Sequence, residues 1–345
     1  MIPRSPVNSF WLSCALVLLT TTTAASLAVM YMVTTSPRHD KKKKPRLAVA
    51  FMGNSIQYFN DCPRLVESML RKAGFAVEQN SCLRGGATLT SLWANGNGMR
   101  HKFSTPPALR KNGTYDIGSP SPSTLLQSKQ HWDFVLFQDH TQHPARDATR
   151  QQSLETLRTH VVPILLQKQQ SNPNLTVLFL QTFAYRVPGL KDSDDLGDFH
   201  AFTERLVDGY DQYAAALREA GIRNVQIVPM GRAVQWLYKH RRNDLWEAMY
   251  SWDDFHPSPH GTWLQACLIF VTLTQGRIPP PRYNALWWDY CRYMQPPNER
   301  PLPLPTAQEA EDLRQLAIVI YDMERSRETL GQSEAPETSC PENLK

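Results

Sequence analysis

The stretch RLAVAFMGNSIQYFND (Arg46–Asp61) decides the fold of this 345-residue chain. Six mostly apolar residues, Leu47–Met52, lead directly into the triplet Gly53-Asn54-Ser55. A short run that is apolar on both faces is typical of a strand covered on both sides in a parallel sheet. Glycine, asparagine and serine are common turn formers. The triplet is therefore either a plain loop or a serine held at the carboxyl end of a central strand.

Apolar runs alternate with helical patterns along the chain. The predicted strands are Leu47–Met52, Phe75–Val77, Phe134–Phe137, Val177–Leu180 and Val225–Val228. The predicted helices are Pro63–Ala73, Gln151–Gln170, Phe199–Ala220 and Gly231–His240. This alternation predicts an α/β fold with a doubly wound, flavodoxin-like parallel sheet of about five strands flanked by helices. The hydrophobic content of 41% is enough for one large buried core.

The formal net charge of +5 is concentrated in one short segment. Residues 38–46 carry six positive side chains and one negative side chain, so they account for the whole net charge. A nucleic-acid surface needs basic residues spread over a folded face, and this distribution argues against nucleic-acid binding. We interpret residues 35–46 as a basic linker.

The amino terminus contains a long uncharged stretch. After a short tail at residues 1–9, FWLSCALVLLTTTTAASLAVMYMV (Phe10–Val33) is long enough to cross about 30 Å of hydrocarbon. We expect an uncleaved transmembrane signal anchor at 10–34, with the membrane as a partner. A cleaved secretory signal is the alternative, because Ala24-Ala25-Ser26 supplies small residues.

Two features disagree about topology. The lysine run after the apolar stretch favours a cytoplasmic flank. Asn112-Gly113-Thr114 and Asn174-Leu175-Thr176 are glycosylation acceptors, which favours the opposite side. The expectation is a single-pass membrane glycoprotein of the secretory pathway, in the ER or Golgi lumen or at the cell surface, with Asn112 and Asn174 as glycosylation candidates.

The main domain is expected at 47–295, with a long irregular insertion at 93–132 that is rich in glycine and proline. Insertions of this kind are usually functional or mobile. A proline-rich segment and one amphipathic helix, Ala307–Glu324, follow within 296–327, and 328–345 is expected to be a disordered tail. The cysteines form no Cys-x-x-Cys pair, and a Cys62–Cys82 bridge and unpaired buried thiols both remain open.

Polar side chains follow the predicted strands, where open parallel sheets place their sites. They are Ser55 after the first strand, Gly85-Gly86 after the second, Gln138, Asp139, His140 and His143 after the third, and Asp253, Asp254, His256 and His260 near the end. A serine nucleophile needs a base such as His256, and a carboxylate such as Asp253 to hold the second ring nitrogen. The oxyanion needs fixed donors, for which the amides of Ser55 and Gly86 and the side chain of Gln138 are candidates.

This order of residues resembles the SGNH (GDSL-like) hydrolase family from Leu47 to about Gln275. The family's Gly-Asp-Ser block is matched by Gly53-Asn54-Ser55, its oxyanion glycine by Gly86, and its Asp-x-x-His-Pro block by Asp253-Asp254-Phe255-His256-Pro257. The third block departs, because LFQDHTQ stands where the family has Gly-x-Asn-Asp. Sialate O-acetylesterase-like members carry a glutamine-led block there. That resemblance favours Gln138 as the third oxyanion donor, with His140 as the competitor in the asparagine-aligned position.

The resemblance implies a serine esterase of SGNH type with the triad Ser55, His256 and Asp253, and with no cofactor. Its expected substrate is an ester, either an O-acyl group on a carbohydrate or a small ester, cleaved through an acyl-enzyme. An O-acyltransferase using the same residues and a non-catalytic carbohydrate-binding member of the fold are the alternatives. A metal-dependent hydrolase is a weaker rival, because a metal site built from the histidines and Asp139 would not require Ser55 or Gly86.

Overall fold

The computed structural model describes residues 44–100, 117–284 and 302–330. Its five strands form one parallel sheet in the order β2-β1-β3-β4-β5. The strands are β1 (Arg46–Gly53), β2 (Ala76–Leu83), β3 (Phe134–Phe137), β4 (Thr176–Leu180) and β5 (Asn224–Val228). This is the flavodoxin-like order. The predicted α/β class and doubly wound sheet are confirmed.

The strand order places β1 at the point where the winding direction reverses. From β1 the chain passes to β2 on one side of the sheet and then returns to β3 on the other side. The carboxyl end of a strand at such a switch point opens into a crevice, which is where ligands bind in open α/β sheets. Ser55 follows the end of β1 by two residues and therefore lies at that crevice.

The alternation of side chains along β1 shows that the sheet is covered on both faces. Leu47, Val49 and Phe51 belong to one hydrophobic cluster, whereas Ala48, Ala50 and Met52 belong to the other. Each of the six is at most 6% exposed. Successive residues of a strand point to opposite faces, so a strand buried between two helical layers must be apolar throughout.

Helices occupy most of the connections between strands. Their bounds are Ser55–Tyr58, Cys62–Lys72, Leu89–Asn95, Pro122–Gln127, Gln142–Ala145, Asp147–Thr156, Val162–Ser171, Phe199–Glu219, Met230–Lys239, Asn243–Ala248, Pro259–Leu273 and Ala307–Leu330. A π-helical turn, Leu157–Val161, joins Asp147–Thr156 to Val162–Ser171, so the pattern expected at Gln151–Gln170 is one continuous helical stretch.

The second strand is longer than the sequence predicted. β2 runs over Ala76–Leu83, whereas the apolar run ends at Val77. β2 is an edge strand, and Glu78 and Asn80 on it are exposed or half-buried. Because an edge strand has a solvated side, polar residues interrupt its apolar pattern without ending the strand.

The helix Ala307–Leu330 covers a helix that is buried on every side. All residues of Pro259–Leu273 are buried. The indole Nε1 of Trp263 donates to the carbonyl of Ala310 at 2.7 Å, and the apolar side of the last helix packs in the same core cluster. The carboxyl-terminal helix extends past the expected end at Glu324 and belongs to the compact unit that begins at Pro45.

No helix of the described ranges is both long enough and apolar enough to cross a bilayer. The fully buried helix Pro259–Leu273 has 15 residues, whereas a span needs about 20. This finding contradicts the predicted anchor at 10–34, and with it the membrane partner and the single-pass membrane localisation. An uncharged run is not in itself an apolar helix, and the four threonines Thr20–Thr23 interrupt this one. Residues 1–9 and 10–34 lie outside the described residues, as does most of the linker 35–46.

Several smaller predictions fall partly outside the described ranges. Asn112 lies outside them, whereas Asn174 is exposed in the turn before β4, so its glycosylation stays a prediction. Within the expected insertion 93–132, the residues on either side of 101–116 include the end of the helix Leu89–Asn95 and the whole of the helix Pro122–Gln127. Cys62, Cys82 and Cys267 are free and buried, so the structure has no Cys62–Cys82 bridge.

Candidate active site

Ser55 begins a short helix directly after β1. The side chain of Asn54 caps this helix by accepting from the amide of Ile56 at 3.0 Å. Its amide nitrogen donates to the carbonyl of Ala87 at 2.8 Å, which ties the serine turn to the glycine loop after β2. A Cβ at Gly53 would collide with the side chains of Gln57 and Gln138, so this position needs glycine.

Ser55, His256 and Asp253 form one hydrogen-bonded chain. His256 Nε2 lies 2.7 Å from Ser55 Oγ, and His256 Nδ1 lies 2.6 Å from Asp253 Oδ2. The other carboxylate oxygen of Asp253 accepts from the backbone amides of His256 at 3.1 Å and Phe255 at 3.4 Å. One turn of the loop before Pro259–Leu273 therefore carries both base and carboxylate, and the fold brings them to a serine 201 residues away.

The neighbouring carboxylate has a different partner. Asp254 forms an ion pair with the side chain of Arg186, and its carbonyl accepts from the Arg186 amide at 2.9 Å. Asp254 has a positive φ of 62°, in the left-handed region. The sequence offered two adjacent aspartates, and the backbone geometry directs Asp253 to the histidine.

The pKa of Asp253 is lowered from its usual value. Burial opposes ionisation, but the hydrogen bond and charge of His256 and the two backbone amides outweigh it. The carboxylate is therefore ionised at neutral pH. An ionised acceptor on Nδ1 holds the proton there and leaves Nε2 free to accept from a serine hydroxyl.

Two residues that follow Ser55, Phe59 and Asn60, hold the histidine loop in place, and sequence reasoning missed them. The ring of Phe59 stacks on the His256 imidazole, with centroids 3.9 Å apart and planes 7° apart. Asn60 Nδ2 donates to the carbonyl of Pro257 at 3.0 Å and to Thr262 Oγ1 at 2.9 Å. Asn60 and Asp61 both have φ of 51°, and a paired Asn-Asp after a short helix is the sequence signal that could have indicated this tight turn.

Tyr58 is a further neighbour of the serine. It forms a side-chain hydrogen bond with Ser55, and its hydroxyl lies where a Cβ at Gly85 would approach it to 2.9 Å. Burial raises the pKa of Tyr58, with the Ser55 contact opposing the shift, so the phenol keeps its proton at neutral pH. The tyrosine therefore spans the gap between the nucleophile turn and the Gly85-Gly86 loop.

Gly86 lines the same cavity and has a φ of 65°. This left-handed conformation is one that glycine adopts readily. The first amides of a helix have no partner inside it, which leaves the Ser55 amide available beside the cavity. The amides of Ser55 and Gly86 thus remain the candidates for two oxyanion donors.

Asp139 is fully buried and connects the end of β3 to the elements around it. One carboxylate oxygen accepts from the amides of Leu89 at 2.9 Å and His140 at 2.7 Å. The other accepts from the hydroxyls of Ser153 at 2.6 Å and Tyr213 at 2.8 Å. Four donors satisfy the carboxylate, so Asp139 fixes the end of β3 to the segment that follows Gly86.

The two candidates for the third oxyanion donor lie in different places. Gln138 is 1% exposed, its Oε1 accepts from the Asn54 amide at 2.9 Å, and its Nε2 donates to the Asp139 carbonyl. It supports the serine turn from behind and is not among the residues that line the cavity, whereas His140 is. The donor role of Gln138 stays a prediction, and the geometry favours His140.

The His140 imidazole is held in its neutral form. Burial lowers its pKa first, and the charges of His143, Arg146 and Lys191 lower it further, against the opposing effect of Asp139. A neutral imidazole carries one N–H donor. His143 packs edge-on to His140 with ring centroids 5.6 Å apart.

The site opens into a cavity of about 260 Å³. It is lined by Asn54, Ser55, Ile56, Tyr58, Gly86, His140, Thr141, Tyr185, Lys191, Phe255 and His256. The remaining candidate, His260, is 3% exposed and lies 3.4 Å from Glu309, outside this lining. Among the described residues, no group of three or more histidine, cysteine or acidic side chains could hold a metal ion.

Comparison with known proteins gives a likeness in structure and not in sequence. No family model matches the chain, and no curated protein matches it. A DUF4886 family protein from Bacteroides uniformis has 17% identity and a TM-score of 0.54, over 80% of this chain and 96% of that one. The fold is SGNH-like. The recognition made from the sequence blocks is confirmed at this level.

Other solved structures match less well. A putative SGNH hydrolase from Slackia heliotrinireducens has 20% identity over 66% of this chain and 99% of that one, with a TM-score of 0.43. A family 3 carbohydrate esterase from Clostridium thermocellum has 14% identity over 67% of this chain and 98% of that one, with a TM-score of 0.40. At such identities the likeness concerns the hydrolase-type fold alone, and the activity has to be argued from the site of this chain.

Proposed function

We propose that the protein is a serine esterase that removes an acyl group from a carbohydrate or small ester. The observation that carries the proposal is the continuous chain from Asp253 through His256 to Ser55, with contacts of 2.6 and 2.7 Å, at the floor of a cavity. A hydroxyl, a base within hydrogen-bond reach and a carboxylate that orients the base are the parts that nucleophilic acyl transfer requires.

The first half of the reaction forms an acyl-enzyme. His256 Nε2 accepts the proton of Ser55 as its Oγ attacks the ester carbonyl carbon. The carbonyl oxygen becomes an oxyanion, which the amides of Ser55 and Gly86 and the His140 ring stabilise. The imidazolium then gives its proton to the departing alkoxide, so the C–O bond breaks and the alcohol leaves.

The second half releases the acid. A water molecule gives a proton to His256 Nε2 and attacks the acyl carbon, forming a second oxyanion at the same donors. When this intermediate collapses, the bond to Ser55 Oγ breaks and the proton returns from His256 to the serine. Asp253 stabilises the imidazolium in both halves without taking up its proton.

The experiment is covalent labelling combined with hydrolysis of a small acetyl ester. Wild-type protein should be labelled by a fluorophosphonate on the peptide that contains Ser55, and it should hydrolyse p-nitrophenyl acetate. Ser55→Ala should lose both while keeping its circular-dichroism spectrum. The matched control is Ser91→Ala, a serine outside the cavity lining on the helix Leu89–Asn95, which should keep both properties.

Two results would contradict the esterase proposal. A folded Ser55→Ala variant with wild-type hydrolysis would exclude Ser55 as the nucleophile. A wild-type protein that is neither labelled nor able to hydrolyse esters would favour the alternative of a non-catalytic carbohydrate-binding protein. Addition of a sugar acceptor tests the acyltransferase alternative, because transfer would give an acylated sugar in place of free acid.

A further inference from the structure

One lysine side chain lines the cavity beside Ser55. Among the described residues that line it, Lys191 is the one lysine, arginine, aspartate or glutamate. The remaining lining residues are apolar, hydroxyl-bearing, amide-bearing or histidine. A group entering this cavity therefore meets an ammonium and no carboxylate from the lining.

The backbone at Lys191 is held in an uncommon conformation. Lys191 and Asp192 both have φ of 58°, in the left-handed region that few residues other than glycine adopt. Gln142 Nε2 donates to the Lys191 carbonyl at 2.7 Å, and Arg146 donates to the Asp192 carbonyl at 2.5 Å. Gln142 and Arg146 follow His140 closely in sequence, so the lysine-bearing loop is fastened to the segment that carries His140.

The ammonium lies beside the triad. Lys191 Nζ is 4.6 Å from the centroid of the Phe255 ring, and Phe255 directly precedes His256. A cation above an aromatic face at an exposed site is held only weakly. Lys191 and His140 line the same cavity as Ser55.

Three of the acidic residues around the loop have partners other than Lys191. Asp195 pairs with Arg146 at 2.7 Å, Asp254 pairs with Arg186, and Asp253 holds His256. The Asp194 carboxylate lies against Gly189. Within the described ranges Lys191 belongs to no ion pair, so its charge is left for a ligand.

We propose that the site is selective for esters that carry a carboxylate close to the scissile bond, with Lys191 as the residue that binds this carboxylate. The inference rests on the proposed esterase function and adds the substrate class. An ammonium–carboxylate pair at an exposed site should favour the anionic ester by about twofold to fivefold over a neutral ester of the same shape.

The test uses two esters that differ in this charge. 4-Acetoxybenzoate is anionic, and its methyl ester is neutral, while both release acetate from a phenol oxygen. The ratio of their kcat/KM values should fall by about twofold to fivefold in Lys191→Met and should be retained in Lys191→Arg. Lys129→Met is the matched control, since Lys129 is exposed and lies outside the cavity lining. An unchanged ratio in Lys191→Met, or an equal loss on both esters, would overturn the inference.

A binding measurement separates this inference from the esterase proposal. In the Ser55→Ala background, calorimetry should show that Lys191→Met weakens the binding of 4-acetoxybenzoate by about twofold to fivefold. Binding that is indifferent to Lys191, or no binding, overturns the substrate class. A wild type that binds the anion through Lys191 but hydrolyses neither ester would refute the esterase proposal and leave the anion site standing.

Discussion

Replacing Asp253 by asparagine tests whether one hydrogen bond sets the state of the histidine. The asparagine Oδ1 can still accept from the amides of Phe255 and His256, so the turn should keep its shape. Its NH₂ group would face His256 Nδ1, which then has to accept. The ring proton moves to Nε2, and the nitrogen that lies 2.7 Å from Ser55 Oγ can no longer act as a base.

The size of the loss follows from burial. Forcing the wrong tautomer costs about 10⁴ in kcat where the orienting carboxylate is buried. The side chain of Asp253 is 40% exposed, so water can hold the productive tautomer in a fraction of the molecules. We expect Asp253→Asn to lower kcat by about 10³, which corresponds to about 4 kcal/mol of transition-state stabilisation. KM should change far less, because the substrate does not contact the carboxylate.

The assay is steady-state hydrolysis of a small acetyl ester, with Asp254→Asn as the matched control. Asp254 pairs with Arg186, not with the histidine, and its φ of 62° suits asparagine well. This control should keep kcat within about twofold, since pairs of this kind contribute little to stability. Equal losses in the two variants, or wild-type kcat in folded Asp253→Asn, would refute the reasoning.

Three further outcomes are expected. His140→Ala should lower kcat by about 10²–10³ with a smaller change in KM; a loss confined to Gln138→Ala would instead give the donor role to the glutamine. Tyr58→Phe should lower kcat by about fivefold, the value of one neutral hydrogen bond, and an unchanged kcat would exclude a hydroxyl contribution. Burial, partly opposed by Asp139, lowers the pKa of His143 in the folded protein, so the unfolded chain takes up the proton first as the pH falls below about 6.5. The unfolding temperature of the wild type should therefore be lower at about pH 5.5 than at about pH 7.5. The decrease should be smaller in His143→Gln, and it should equal that of the wild type in His131→Gln, a control at an exposed histidine.

The strand positions could be read from the sequence because the sheet is covered on both faces. Leu47–Met52 and Val177–Leu180 are apolar without alternation, and both lie inside observed strands. β2 was the exception, because it is an edge strand in which the exposed Glu78 and half-buried Asn80 alternate with the buried polar residues Gln79 and Ser81. The amino-terminal anchor was inferred from the length and apolar character of an uncharged run, and that prediction is contradicted. The mean hydropathy of a window identifies an apolar stretch, but it does not show whether that stretch packs against lipid or against protein.

The sequence by itself determined the order of strands and helices, and it supplied the serine, the two aspartates and the histidine in blocks near strand ends. Only the tertiary structure showed what the neighbouring Asp254 does, because its ion-pair partner Arg186 lies 68 positions away in the sequence. It also decided that Gln138 supports the serine turn from behind while His140 faces the cavity. Phe59 and Asn60 entered the site in the same way, through contacts with residues about 200 positions away. Local pattern reflects burial and turn chemistry, whereas the direction of a side chain depends on backbone angles and distant partners that no short window contains.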